Sequence, residues 1–429
     1  MSSPLKENRD ARLDELRGLA MSAVLASHVA LVFANDIALA QVLLVPALGV
    51  GVDLFFVISG YLIVDRAARS VARARSFWRG AAAFWASRVI RIGAPAWVTI
   101  GALYLAWRLG GLHGLRFEDL IAAAAFLDNL YWAPCFAGSD GCGDPLLSSH
   151  FWSLSLEMQF YALAPFIATL GRRGLWIIVA STLTTGALLS RPWGGFWWAL
   201  RPDALLVGVL IGLETRRRAE WLNIIPKIGL RLATYWLLVA AVLAPVLSIV
   251  AAGAGLTAVA VIFGMVVAGR DRDTGARVPF GAKLLRWMGE RSFSLYLVHL
   301  PVLSGLRAAI LEQAPPWAAA TFATIGAVLA ALFLERLVTR PAMVLARRVA
   351  ARVCDVNGAK APSRMEGPLR NEATSQGKLA VRSDNPAPAL SAGVLQRSRF
   401  QRFRQLFNRE SISSRTETRR KYRSGSALD

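Results

Sequence analysis

The sequence is short of the residue types that most catalytic and metal sites use. Four histidines and three cysteines occur in 429 residues. Cys135, Cys142 and Cys354 have no histidine at zinc-site spacing, so no metal site is expected. Ser153 lacks the Gly-x-Ser-x-Gly elbow that would mark it as a nucleophile. No repeat of fixed period is present. Acidic residues are scarce, 28 Asp and Glu against 49 Lys and Arg, which gives a formal charge of +21. In a soluble protein that excess would point to nucleic acid.

What the sequence has instead is apolar length. It is 55% hydrophobic with a mean hydropathy of +0.43, and several runs are long enough to cross a bilayer. The expectation is an all-α polytopic membrane protein of about ten transmembrane helices. Its partners would include membrane lipids and no nucleic acid. The first apolar run follows acidic residues and is followed by further spans, so it reads as a retained span rather than a cleaved signal.

The ten expected spans are residues 16–34, 47–64, 92–109, 151–170, 175–189, 196–213, 230–250, 256–268, 293–311 and 317–338. Residues 120–132 are too short for a span and read as re-entrant or interfacial. Arg66, Arg69, Arg73, Arg75, Arg79, Arg88 and Arg91 crowd one loop, and Arg216, Arg217 and Arg218 another. By the positive-inside rule these loops and both termini are cytoplasmic. Cys135 and Cys142 flank a Gly/Ser/Asp loop on the other side. They either form a disulfide in an oxidising compartment or remain two separate small side chains.

Residues 1–11 then form a cytoplasmic segment, 12–350 the membrane domain, and 351–429 a basic, mostly disordered tail. Within the tail, residues 396–409 (QRSRFQRFRQLFNR) space Phe400, Phe403, Leu406 and Phe407 helically among arginines. That pattern suits a helix on an anionic membrane surface or a solvated charge run.

Residues 12–34, RLDELRGLAMSAVLASHVALVFA, set Arg17 and His28 among apolar neighbours. Eleven helical steps bring the two within roughly 20° of one face, about 16 Å apart along the axis. An ionisable group at bilayer depth is costly and turns to a cavity or a partner. The plainer alternative is a histidine satisfied by a nearby carbonyl or hydroxyl. Asp53, Glu157, Arg201, Asp203 and His299 also fall within apolar segments. Together they outline a polar interior for a substrate, an ion or a proton.

Four blocks resemble the membrane-bound acyltransferase-3 family of bacterial cell-envelope enzymes. They are RLDELRGLA with His28 after it, GVDLFFVISGYLI, FWSLSLEMQFYALAP and ERSFSLYLVHLPV. Arg88 and Arg91 before Pro95, and RPDALLVGVLIG from Arg201, are lesser echoes. The likeness covers residues 12–341. Departures are Glu15 in place of a common Gly, Met158 in place of a second Glu, and Thr339-Arg340-Pro341 in place of Glu-Arg-Pro or Glu-Lys-Pro.

The resemblance implies transfer of an acyl group, often acetyl, to a hydroxyl of a cell-surface glycan or lipid-linked sugar. The donor is cytoplasmic acyl-CoA (acetyl-CoA) as co-substrate, no cofactor is tightly bound, and the site is the inner (plasma) membrane. His28 is the expected general base, or alternatively the carrier of an acyl-imidazole. Glu157 is expected to orient His28, and Arg17 to meet the phosphates of coenzyme A. Asp14 would hold Arg17, while Ser59 and Gly60 would line the donor path. Ser153, Gln159, Tyr161, Asp53, Arg201 and Asp203 are expected among the donor-binding or substrate-binding contacts. His299 fits its block but is expected to begin a turn with Pro301, and so stands behind His28. His113 and His150 read as outer loop residues without a role. The competing reading is a proton-coupled secondary transporter or flippase for a sugar or lipid intermediate.

Overall fold

The computed structural model describes residues 10–34, 44–110, 112–136, 139–191, 195–250, 253–270, 280–311 and 313–354. The expected tail, with residues 396–409, lies outside the described residues. Among those described the chain is helical, and β pairing is confined to one isolated bridge between Ile228 and Arg270.

The longer helices are, in order, α1 (Ala11–Phe33), α2 (Gly51–Arg73), α3 (Phe77–Arg88), α4 (Ala94–Arg108), α5 (Phe117–Ala124), α6 (Asp128–Phe136) and α7 (Phe151–Ile167). They continue as α8 (Arg172–Leu188), α9 (Asp203–Arg216), α10 (Leu230–Val250), α11 (Ala254–Gly269), α12 (Phe280–Leu306), α13 (Pro316–Leu334) and α14 (Arg340–Cys354). Among the described residues, six stretches are long and apolar enough to cross a membrane: Ala11–Phe33, Ala47–Arg73, Phe77–Arg108, Phe196–Arg216, Leu230–Leu247 and Pro316–Val353. The expected ten are therefore not all reached on length and hydropathy. Helices do cover the other four runs, but α7 and α8 have 17 residues and α11 has 16. The remaining one, α12, carries Lys283, Arg286, Glu290 and Arg291 in its first half.

The exposed surface of α13 explains why these helices need a lipid solvent. Ala319, Ala323, Ala327 and Ala331 recur every four residues and are buried, whereas Phe322, Ile325, Leu329 and Phe333 face outward. A helix whose outer stripe is large and apolar and whose packed stripe is small matches a transmembrane interface. The pattern is the reverse of a soluble amphipathic helix.

Helix α1 starts where Asp10 caps it, its carboxylate accepting from the amides of Arg12 (3.1 Å) and Leu13 (3.3 Å). It then lies along α12, its main neighbour. The two backbones meet at glycines. A Cβ on Gly18 would stand 1.9 Å from the Leu285 carbonyl oxygen, and one on Gly289 1.7 Å from that of Asp14. Any side chain there would push the helices apart.

The expected turn at Pro301 is absent, because α12 continues through that residue to Leu306. Proline lacks an amide hydrogen, so it frees the carbonyl four residues earlier without ending the helix. In α7 the same happens at Pro165, and the freed Tyr161 carbonyl accepts from the Trp85 indole at 3.3 Å. Residues 120–132 form no continuous segment. They fall across α5 and α6, which are broken at Phe126, whose φ of 56° is left-handed. Gln159 holds that break, donating to the Phe126 carbonyl (3.0 Å) and to Asn129 Oδ1 (2.8 Å).

Candidate active site

Three imidazoles meet between α1, α12 and the start of α7. His299 Nε2 lies 3.2 Å from His28 Nδ1, with ring centroids 4.9 Å apart, and the His150 ring is 5.5 Å from that of His299. Carbonyl oxygens only accept, so they fix where the protons sit on the neutral rings. His299 Nδ1, 2.8 Å from the Tyr296 carbonyl, carries its proton and leaves Nε2 as a lone pair. His28 Nδ1, 2.9 Å from the Val24 carbonyl, also carries its proton and shares it with His299 Nε2. The free lone pair of His28 is therefore on Nε2, which makes no hydrogen bond among the described residues.

His150 is not the outer loop residue that the sequence suggested. It is 2% exposed, and its Nε2 donates to the Leu297 carbonyl at 3.1 Å. That carbonyl is the one Pro301 leaves without an amide partner, so the proline positions the third imidazole. Tyr296 ties the elements together. Its hydroxyl donates to the His150 carbonyl (2.7 Å), so the 2.6 Å contact with Ser153 Oγ must be donated by the serine.

Glu157 was expected beside His28. It instead accepts from Tyr161 on its own helix, one turn along, on the side of α7 that faces α2 and α3. The cause is helix placement: α1 packs chiefly on α12 and α2, so the partner of His28 comes from α12.

The Glu157 side gathers arginines. Arg66, Arg88 and Arg91 lie close enough to repel one another, Arg17 bears on both Arg66 and Arg91, and Tyr161 and Glu157 offset part of this charge. Arg88 is buried, and Ser59 lies beside the Tyr161 hydroxyl. Asp14 accepts from Arg17 at 3.1 Å, as the resemblance implied. Four cations drawn from α1, α2, α3 and the π-turn Val89–Gly93 thus gather on this side, with Glu157 beside Arg88 and Arg91 and Asp14 beside Arg17. Cations so placed suit a polyanion such as a pyrophosphate.

Asp53, Arg201 and Asp203 fall into two buried clamps. Arg201 stands 3.7 Å from Asp53, with its guanidinium over Trp152 (5.0 Å) and Trp198 (4.7 Å). Asp203 is bound on both oxygens, by Arg191 (2.9 Å) and by Thr257 (2.9 Å). Arg191 also reaches the Thr257 hydroxyl at 2.8 Å and the Gly253 carbonyl at 2.9 Å. This set joins α9 to α11 and engages both oxygens of Asp203 in structural bonds. Gln159 is likewise engaged in holding the α5–α6 break.

Gly60 lies at the crossing of α2 and α9. A Cβ there would stand 2.0 Å from the Leu205 carbonyl oxygen. Gly60→Ala is expected to cost about 1–3 kcal/mol by overpacking. Melting in detergent should fall, while the surviving folded fraction keeps its affinity for the donor. A changed donor affinity at unchanged stability would restore the path-lining role.

Where the sequence departs at Thr339, the structure supplies a carboxylate from one turn earlier. Glu335 accepts from Ser294 of α12 at 2.9 Å, beside Thr339 at the same hydroxyl (2.9 Å).

The sequence reading passed over His150, Tyr296, Arg66, Arg191 and Thr257. Tyr296 lies three residues before His299 and His150 three before Ser153, so adjacency to those blocks was the available signal. Nothing local marked Arg191, which sits in a connection.

The model of an acyltransferase domain family matches residues 10–336. Nodulation protein 10 of Rhizobium leguminosarum bv. viciae is 32% identical over 134 residues, 29% of this chain and 34% of that protein. Peptidoglycan O-acetyltransferase OatA of Listeria monocytogenes is 25% identical over 340 residues, 71% of this chain and 51% of that protein. Putative peptidoglycan O-acetyltransferase YrhL of Bacillus subtilis is 30% identical over 166 residues, 37% of this chain and 24% of that protein. The chain thus spans about a quarter to a half of the length of these relatives. No solved structure matches it.

Proposed function

Because the chain belongs to the acyltransferase-3 family, we propose that it is a membrane O-acyltransferase moving an acyl group from acyl-CoA to a glycan or lipid-linked sugar. Acetyl is the simplest group, since two of the relatives bear the name O-acetyltransferase. The observation that carries this reading is the His28–His299 pair, with an unshared lone pair on His28 Nε2.

The thioester supplies the driving force, so the protein has to deprotonate an alcohol and hold two substrates. His28 Nε2 takes the hydroxyl proton as the alcohol oxygen attacks the thioester carbonyl. The C–S bond then breaks, and the leaving thiolate receives that proton from His28. In between, the imidazolium is stabilised on its other side by the Val24 carbonyl and the His299 lone pair, both acceptors. Arg17, Arg66, Arg88 and Arg91 would hold the coenzyme A phosphates, about 16 Å along α1 from His28.

We read ten crossings, adding α7, α8, α11 and α12 to the six apolar spans, with the arginine-rich loops and both termini in the cytoplasm of the inner membrane. The Cys135–Cys142 disulfide supports the outer side for its loop, since such bonds persist in oxidising compartments. Without reductant a maleimide polymer should add to one cysteine of the unfolded chain, and with reductant to all three. Three additions without reductant would put that loop inside.

The function itself is tested with labelled acetyl-CoA, membranes containing or lacking the protein, and the cell's glycan fraction. Protein-dependent label in the glycan is the expected result. Its absence, together with protein-dependent movement of sugar across vesicles, would return the transporter.

A further inference from the structure

His150 has no part in the scheme above, yet its geometry is that of a group awaiting a ligand. Its Nε2 proton goes to the Leu297 carbonyl, so its Nδ1 bears a lone pair, and this buried atom has no hydrogen-bond partner among the described residues. The other two imidazoles give their Nδ1 to main-chain carbonyls. Of the three rings, then, two ring nitrogens keep unshared lone pairs: His28 Nε2 and His150 Nδ1.

A buried acceptor left without a donor is costly, and such a group calls for an explanation. Its surroundings make relaxation difficult. The backbone of His150 is pinned by Tyr296, which is pinned by Ser153, and its ring is pinned by the carbonyl that Pro301 frees. The His299 ring stands edge-on to it, at 79° and 5.5 Å between centroids. A rigidly held lone pair beside the proposed base matches an alcohol, which brings one donor and one nucleophilic oxygen.

We propose that His150 Nδ1 accepts a hydrogen bond from a hydroxyl of the sugar and so binds the acceptor beside the His28–His299 pair. The inference rests on the acyltransferase reading. It assigns the acceptor, and not the donor, to the start of α7.

Two amide variants separate this role from a structural one. In His150→Gln the amide nitrogen stands near the position of Nε2 and keeps the bond to Leu297, but the acceptor at Nδ1 is lost. In His150→Asn the amide oxygen stands near Nδ1 and the Leu297 bond is lost. The acceptor used is glycan isolated from cells lacking the protein, titrated against full-length protein in membranes with labelled acetyl-CoA, and rates are normalised to folded protein.

The expected result is a rise of about tenfold in KM for the glycan in His150→Gln, with KM for acetyl-CoA unchanged, and a smaller rise in His150→Asn. Wild-type glycan kinetics in His150→Gln would overturn the proposal, as would equal losses in both variants. If Asn does not fold, the Gln comparison of the two KM values decides alone. A wild-type protein that labels no glycan would instead bring down the acyltransferase reading, and the inference with it.

Discussion

Replacing His28 by alanine is expected to lower acyl transfer to the glycan about 10²–10⁴-fold, the range general-base catalysis supplies. The ring need not be charged at rest. It needs a lone pair at the reacting hydroxyl and a fixed proton on the far nitrogen. His28 has both, because Nδ1 is committed to Val24 and His299 and Nε2 is uncommitted. The substitution also leaves His299 Nε2 without its donor, so the assay is normalised to folded protein after detergent chromatography. Equal labelling by His28→Ala and wild type would remove the base from the scheme. A variant that labels nothing yet keeps wild-type affinity for acetyl-CoA would separate chemistry from donor binding.

The second large effect is on stability. Asp203→Ala strips the Arg191 guanidinium of its carboxylate in a site where both side chains are almost fully buried, 3% and 4% exposed. Breaking one partner of such a pair typically costs about 3–5 kcal/mol, because the remaining charge is stranded. Thr257 loses its acceptor in the same step. The protein should therefore melt markedly lower in detergent and accumulate poorly in membranes, while the folded fraction keeps its KM values. Asp203→Asn, which still accepts from Arg191 or Thr257, should lose less. A raised KM with unaltered melting would instead return Asp203 to the substrate.

Both effects depend on pairings that a single sequence carries unevenly. The helical period made it plain that Arg17 and His28 share a stripe of α1, and the family resemblance had already set Asp14 against Arg17. Glu157 was misassigned because its distance from His28 in the chain says nothing about which helix lies against α1. His150 was dismissed because a histidine just ahead of an apolar run looks like a loop residue until α12 covers it.

The sequence alone determined which segments are helical and apolar, which face of each carries ionisable groups, and to which family the four blocks point. These are local properties, set by residue type and by a fixed rotation per residue. The tertiary structure alone decided that His28 meets His299, that Pro301 hands a carbonyl to His150, and that Arg191 closes on Asp203. Those contacts depend on which helices touch. For α1 and α12 that is fixed by two glycines 271 positions apart, Gly18 and Gly289, whose missing side chains let the backbones approach closely enough for the imidazoles to bond.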